Sequence, residues 1–174
     1  MFRSVILLCV VLALGNGQTT LVNQCTSSSG PLPINAYIAG CEVPPCQLPQ
    51  LQDAIINIIF RAPYTMHRMT TLATAFLQSP LGFIPIPYPL DQNAVTCNFL
   101  TNTYCPVVGG EVIKYQLRMY IESFFTVGVQ AQIEFRIVDE RNAVVVCIRV
   151  PIRIVPEVDS RAGGAQNATI TVEV

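Results

Sequence analysis

Seven cysteines occur in the 174 residues of this chain, and their number and spacing are the first feature with chemical meaning. Cys9 lies in the N-terminal apolar run, which leaves six cysteines. An even number of cysteines in an exported domain predicts disulfide bonds, and six cysteines allow 15 pairings. A zinc site at the closely spaced Cys41 and Cys46 is the competing interpretation, but no second close pair accompanies them. We therefore expect disulfides among the cysteines that lie outside the N-terminal apolar run, which are Cys25, Cys41, Cys46, Cys97, Cys105 and Cys147.

Side chains that could support catalysis are few. His67 is the only histidine, and no nucleophile or carboxylate partner is visible for it, so a triad hydrolase is not indicated. Asp139 and Glu140 are neighbours in a polar segment, which favours a solvated turn over an acid–base pair. Glycine-rich phosphate loops and clusters of metal ligands are not visible either. The sequence therefore predicts a protein that is not an enzyme and that uses no metal or cofactor.

Residues 1–17 are typical of a secretory signal peptide. Arg3 supplies the positive charge, residues 5–14 form a ten-residue apolar segment, and small residues precede Gln18. Ten apolar residues are too few to span a bilayer, which takes about 20. We therefore expect a secreted, extracellular protein, with the lysosomal lumen as an alternative, and a single domain over residues 18–156.

The charge and hydropathy of the chain narrow the classes of partner. Without Arg3, nine Lys and Arg residues stand against eleven Asp and Glu, a formal charge of −2. This balance does not favour nucleic acid or an anionic membrane surface. The chain is 51% hydrophobic and only 12% charged, whereas about 25% charged residues is typical. Such an excess of apolar residues indicates that the interior of the protein holds something in addition to its own core side chains.

Alternation of apolar and polar residues dominates the later half of the chain. Three segments, 113–121, 127–137 and 144–154, each place a continuous apolar row on one face. The polar stretch DERN at 139–142 lies between the last two and predicts a hairpin.

Earlier segments complete an all-β prediction. Residues 34–39, 55–60 and 70–77 have the composition of strands, and no long helical period is visible. About seven strands in one disulfide-linked domain predict an immunoglobulin-like β-sandwich of two antiparallel sheets. The tryptophan of true immunoglobulin domains is missing.

A proline at every second position from 85 to 89 interrupts the apolar run GFIPIPYPLD. In an extended segment the prolines share one face, and Ile86, Tyr88 and Leu90 share the other. Missing N–H donors stop this segment from continuing a central ladder. We expect this segment to form a stiff apolar lip, which borders an opening between the two sheets and keeps them from closing against each other.

Residues 157–174 differ in composition from the rest of the chain, with Gly163 and Gly164 and no aromatic residue. This tail is expected to be mobile or to add an edge strand. Asn167, followed by Ala168 and Thr169, is the one sequon and a candidate N-glycosylation site.

The order and spacing of its cysteines and strand motifs give the chain a resemblance to a known family. It resembles the ML lipid-recognition family, which includes Niemann-Pick type C-two sterol carriers and group-two mite allergens. The resemblance runs from Cys25 to Val155. Its markers are the C-x₁₅-C-x₄-C opening and the segments IINIIF, PIPYPL, EFRI and CIRVPIRI. It implies a two-sheet sandwich with a lipid cavity between the sheets and no catalysis. It also implies the disulfides Cys25–Cys147, Cys41–Cys46 and Cys97–Cys105.

The resemblance further implies which side chains bind lipid, although cavity walls and ordinary core look alike in a sequence. The implied residues are Ile56, Ile58 and Phe60 on one sheet, Ala131, Ile133 and Phe135 on the other, Ile86 and Tyr88 in the proline-rich entrance, and Ile121 and Phe125 on a second lip of the entrance. At this second lip, Phe124 is an alternative to Phe125.

The function predicted from these features is transport of a sterol, a fatty acid or another apolar small molecule by a secreted, monomeric protein. A membrane or receptor partner for ligand hand-off is expected, and nucleic acid is not. The alternative is an innate-immune or chemosensory module that recognises microbial lipids or apolar semiochemicals. A structural domain with a fully packed core is the third hypothesis.

Overall fold

A computed structural model describes residues 17–158. The predicted signal peptide (apart from Gly17), the tail after Val158 and the sequon at Asn167 lie outside the described residues. Within 17–158 there is no helix that is both long and apolar enough to cross a bilayer. The described part of the chain forms eight strands: β1 Asn35–Ile38, β2 Cys46–Pro49, β3 Asp53–Arg61, β4 Met69–Ser79, β5 Gly82–Tyr88, β6 Val112–Tyr120, β7 Gln130–Asp139 and β8 Val144–Val155.

The strands form a sandwich of two sheets, which confirms the predicted fold class. The small sheet has the order β1-β3-β6 and the large sheet the order β2-β8-β7-β4-β5. Two short 3₁₀ helices, Asp91–Ala94 and Thr96–Phe99, follow β5. Neighbouring strands are antiparallel except β2, which runs parallel to β8.

Two details differ from the prediction. β2 was not predicted, because four residues between prolines carry too short an apolar pattern to indicate a strand. β7 begins at Gln130 rather than at residue 127. Gly128 has φ +89°, and the N–H of Val129 bonds back to the carbonyl of Thr126, so a turn occupies the first predicted residues.

The core between the sheets is apolar with one polar cluster. The hydroxyls of Thr71 and Thr96 lie 2.8 Å apart, and Thr71 donates to the hydroxyl of Tyr115 at 2.8 Å. All three residues are at most 1% exposed. Burial raises the pKa of Tyr115 to about 12. The hydroxyls satisfy one another, as buried polar groups must.

The segment before β1 covers the outer face of the large sheet. The disulfide Cys25–Cys147 ties it there, and the backbones of Asn23 and Arg149 exchange two hydrogen bonds of 2.8 Å. Cys147 pairs with Arg136, which lies on the outer face. This bridge therefore leaves the space between the sheets free.

A buried ion pair lies beneath this segment. Arg149 donates to the carboxylate of Glu134 at 3.2 Å, and their side chains are 7% and 0% exposed. Burial by itself raises the pKa of Glu134, but donors from Ser27 and Thr26 and the charge of Arg149 outweigh it and lower the pKa. Phe76 packs its ring 4.3 Å from the Arg149 guanidinium.

The other two disulfides are Cys41–Cys46 and Cys97–Cys105, so the pairing is the one that the resemblance implied. Glu134 lies close to the sulfurs of Cys25 and Cys147. Because these sulfurs are bonded to each other, the group offers no thiolate for a metal.

The β7–β8 hairpin forms where it was predicted, but Asp139 is buried in it rather than solvated. Its carboxylate accepts hydrogen bonds from the hydroxyl of Tyr64 at 2.8 Å and from the N–H groups of Arg141 and Ala143 at 2.9 and 2.8 Å. Burial opposes ionisation, yet these donors lower the pKa of Asp139 to about 2. Asp139 therefore organises the turn.

The proline-rich segment forms β5, the edge strand of the large sheet. Pro85 lies opposite Phe76, and Pro87 lies opposite Thr74 on β4. In an antiparallel ladder, residues alternate between bonding to the partner strand and pointing their N–H away from it. Since proline has no N–H, the prolines occupy positions that face solvent, and the exposed edge lacks those donors.

Candidate ligand-binding cavity

One apolar cavity opens between the two sheets beside the end of β5. Its wall is apolar throughout, and although Tyr88 is one of the lining residues, its hydroxyl does not face the cavity. The lining residues are Leu48, Ala73, Ala75, Leu77, Tyr88, Met119, Ile121, Phe125, Val129, Ala131, Ile133, Ile152 and Ile154.

Small side chains at the centre of the large sheet create this space. Ala73 on β4 lies between Tyr88 of β5 and Phe135 of β7, and Ala75 lies opposite Ile133. Directly opposed residues of antiparallel strands share a face, so the alanines form a low floor between larger neighbours. Ala131, next to Leu77, extends this floor.

Aromatic side chains border the mouth of the cavity. The ring centroids of Tyr88 and Phe125 are 5.8 Å apart, and those of Phe124 and Phe125 are 4.5 Å apart. The Tyr88 hydroxyl donates a 3.4 Å hydrogen bond to the carbonyl of Tyr120. Burial and then the negative charges of Glu122 and Asp91 raise the pKa of Tyr88.

The loop 121–129 covers one side of the mouth and is fixed at both ends. Ile121 exchanges backbone hydrogen bonds with the segment before β3, and Gly128 donates to Ile154 at 2.9 Å. Between these ends, the Gln50 amide donates to the carbonyls of Ser123 at 3.0 Å and Phe125 at 2.5 Å. One side chain thus holds the middle of the loop and its two phenylalanines.

The volume of the cavity is about 70 Å³. Pockets for drug-sized ligands measure about 300–1,000 Å³. A ligand as large as a sterol therefore has to displace lining side chains. Phe125 is a candidate for this displacement, because its large ring lies on a loop rather than in a strand and is only partly buried.

The structure brings together five of the ten predicted lipid-binding residues. Tyr88, Ile121, Phe125, Ala131 and Ile133 line the cavity, and Phe124, the alternative to Phe125, is 71% exposed. The five others do not line it. Ile86 is 44% exposed, whereas Ile56, Ile58, Phe60 and Phe135 are buried in the core at 2% exposure or less. The part that each residue plays in binding stays a prediction.

Eight lining residues were not among the predicted set. Most of them lie in apolar rows that the alternation had already indicated, but alternation does not tell which members face a cavity. Leu48 had no signal, because β2 itself was not predicted. The missed residues are Leu48, Ala73, Ala75, Leu77, Met119, Val129, Ile152 and Ile154.

Comparison with known proteins agrees with this architecture. A family model described as ML domain matches residues 19–154. A crystal structure of a Niemann-Pick type C2 protein from the Japanese carpenter ant is similar, with a TM-score of 0.63 and 17% identity over 77% of this chain and 98% of that one. Chicken MD-1, solved with lipid IVa, aligns with a TM-score of 0.43 and 11% identity over 74% of this chain and 83% of its own. The chain belongs to the ML domain family.

Proposed function

We propose that this protein is a secreted carrier that binds an apolar small molecule, such as a sterol or a fatty acid, in the cavity between its sheets. The observation that carries the proposal is the cavity wall, which is apolar throughout. Cavities with apolar walls stay dry and accept apolar guests. Membership of the ML domain family supports the same function.

The apolar wall supports one orientation of the ligand. Because the wall offers the polar end of an amphiphilic guest no hydrogen-bonding partner, the apolar end enters first. Burial of about 500 Å² of ligand gains roughly 12 kcal/mol at about 25 cal/mol per Å², and the costs of immobilisation remove much of this. Affinities between about micromolar and nanomolar are expected.

The cavity wall supports binding rather than catalysis. Tyr88 is the one titratable residue among those that line the wall, and its pKa is raised rather than lowered. A wall of this kind provides neither a general base near neutral pH nor an activated nucleophile.

The proposal is tested by ligand uptake. Delipidated protein is titrated with a fluorescent sterol and with a fluorescent fatty acid, and emission typical of an apolar environment is expected for at least one. Failure of both probes would overturn the proposal.

In a second experiment, the loaded protein is mixed with phosphatidylcholine vesicles, because exposed Ile84, Ile86 and Phe124 support hand-off to a membrane or receptor partner. Probe that stays on the protein would count against hand-off to membranes.

Export belongs to the same proposal. Cleavage after residue 17 predicts that protein collected from the medium of expressing cells begins at Gln18. Terminal sequencing that finds Met1 at the start of the chain would contradict cleavage.

Gln50→Ala is expected to speed ligand release. Without the Gln50 amide, the loop carrying Phe124 and Phe125 keeps only its terminal anchors. Because hydrogen bonds of this kind contribute about 0.5–1.5 kcal/mol each, we expect the dissociation rate to rise about 3- to 10-fold. Stopped-flow displacement of a bound probe measures this rate. The matched control is Gln47→Ala, at an exposed position of β2, and equal rates in both variants would contradict the role of the loop.

A further inference from the structure

A second, mixed polar cavity of about 220 Å³ adjoins the mouth, and we call it the vestibule. Tyr88 and Met119 line both the vestibule and the apolar cavity. A single molecule that passes Tyr88 can therefore occupy both spaces. The other residues of the vestibule are Pro89, Leu90, Asp91, Gln92, Asn93, Tyr120 and Glu122.

The charged side chains among these lining residues are both carboxylates. Asp91 opens the first 3₁₀ helix and is exposed, and Glu122 begins the loop over the mouth and is half-buried. Arg118 lies two residues before Tyr120 on β6 but does not line the vestibule. The negative charge reaches the mouth itself, because Glu122 and Asp91 both contribute to the raised pKa of Tyr88.

Backbone contacts fix the segments that carry both carboxylates. The carbonyl of Leu90 accepts a 2.8 Å hydrogen bond from the N–H of Asn93, which closes the turn around Asp91. The carbonyl of Glu122 accepts one of 3.2 Å from Phe125. The two acidic groups therefore border the same opening from two different elements of the fold.

We propose that the vestibule receives the head group of the ligand, and that it selects a cationic head, such as an ammonium group, over a carboxylate. This inference rests on the proposed function and names the class of ligand. Two carboxylates attract a cation at short range and repel an anion. Tyr88 and Tyr120 also line the vestibule, and aromatic rings attract an ammonium group.

The test is a competition among three amphiphiles with the same twelve-carbon chain: dodecyltrimethylammonium, dodecanol and dodecanoate. Each displaces a fluorescent apolar probe from the full-length secreted protein at pH 8 and low salt. We expect dodecyltrimethylammonium to bind at least about 10-fold tighter than dodecanoate, with dodecanol between them. Salt at about 0.5 M should reduce this ratio several-fold, because exposed charges are screened.

The double variant Asp91→Asn/Glu122→Gln separates charge from shape. It should lose most of the preference for dodecyltrimethylammonium over dodecanoate. The matched control is Glu42→Gln/Glu157→Gln, which removes the same net charge at exposed sites that do not line the vestibule. This control should keep the preference.

The outcomes distinguish the two proposals. If dodecanol displaces the probe but the charged amphiphiles bind equally, or dodecanoate binds tightest, the vestibule inference is overturned and the carrier function stands. An unchanged preference in the double variant overturns the inference as well. If no apolar probe binds the delipidated protein, both proposals fail.

Discussion

Ala75→Phe is expected to weaken binding of an apolar probe by about 30-fold or more, which corresponds to about 2 kcal/mol. Ala75 lies in the floor of the cavity, and a phenyl ring there takes the space that a guest needs. The cavity of about 70 Å³ cannot hold both. Fluorescence titration of delipidated protein gives the affinity, and thermal unfolding shows whether the variant folds.

The control for this variant is Thr70→Phe, which adds a ring to an exposed position on the outer side of the same strand. Its affinity should stay within about twofold of the original protein. Full affinity in the folded Ala75→Phe variant would show that ligands bind elsewhere.

Glu134→Leu is expected to lower the free energy of unfolding by about 3–5 kcal/mol. The substitution leaves the guanidinium of Arg149 buried without its carboxylate, and it removes the acceptor for Thr26 and Ser27. The segment before β1 should loosen with it. Urea unfolding under oxidising conditions measures the loss, and Glu42→Leu, at an exposed position, should change stability by no more than about 0.5 kcal/mol.

The double variant Glu134→Leu/Arg149→Met should recover most of this loss, because a well-packed apolar pair replaces a buried ion pair at little cost. A double variant as unstable as Glu134→Leu would show that the hydrogen bonds to Thr26 and Ser27, rather than the stranded charge, carry the effect.

The same carboxylate sets the direction of the pH dependence. The pKa of Glu134 is lower in the folded protein than its ordinary value, so its stabilisation is present above about pH 4.5 and is lost as the pH falls through the folded pKa. Asp139 acts with the same sign, with a pKa of about 2. Stability in the Glu134→Leu variant should therefore depend less on pH in the acid range.

The sandwich could be predicted because alternation encodes which face of a strand is buried. The rows of β6, β7 and β8 and the hairpin at Asp139 follow directly from that pattern. The pattern does not encode pairing between distant segments. β2 forms because Cys46–Pro49 pairs with the edge of β8, about 100 residues later in the chain. No pattern within these four residues predicts this pairing.

Only part of the cavity could be predicted, for a related reason. Ile58 and Ile133 have the same alternation, yet Ile58 is in the packed core and Ile133 lines the cavity. What separates them is their position along the sandwich and the small size of Ala73 and Ala75 beside Ile133. Such an arrangement depends on how the sheets are placed over each other, and single strands do not record it.

The prolines of β5 have a consequence for what the protein can recognise. Another polypeptide usually joins a sheet by pairing its main chain with an open edge. At Pro85 and Pro87 that edge offers no donor, so an incoming strand would lack the hydrogen bonds at these two positions. The strand that ends at Tyr88 can therefore present an open apolar entrance without inviting polymerisation. Selection at this entrance is left to side chains, which favours small guests over peptides.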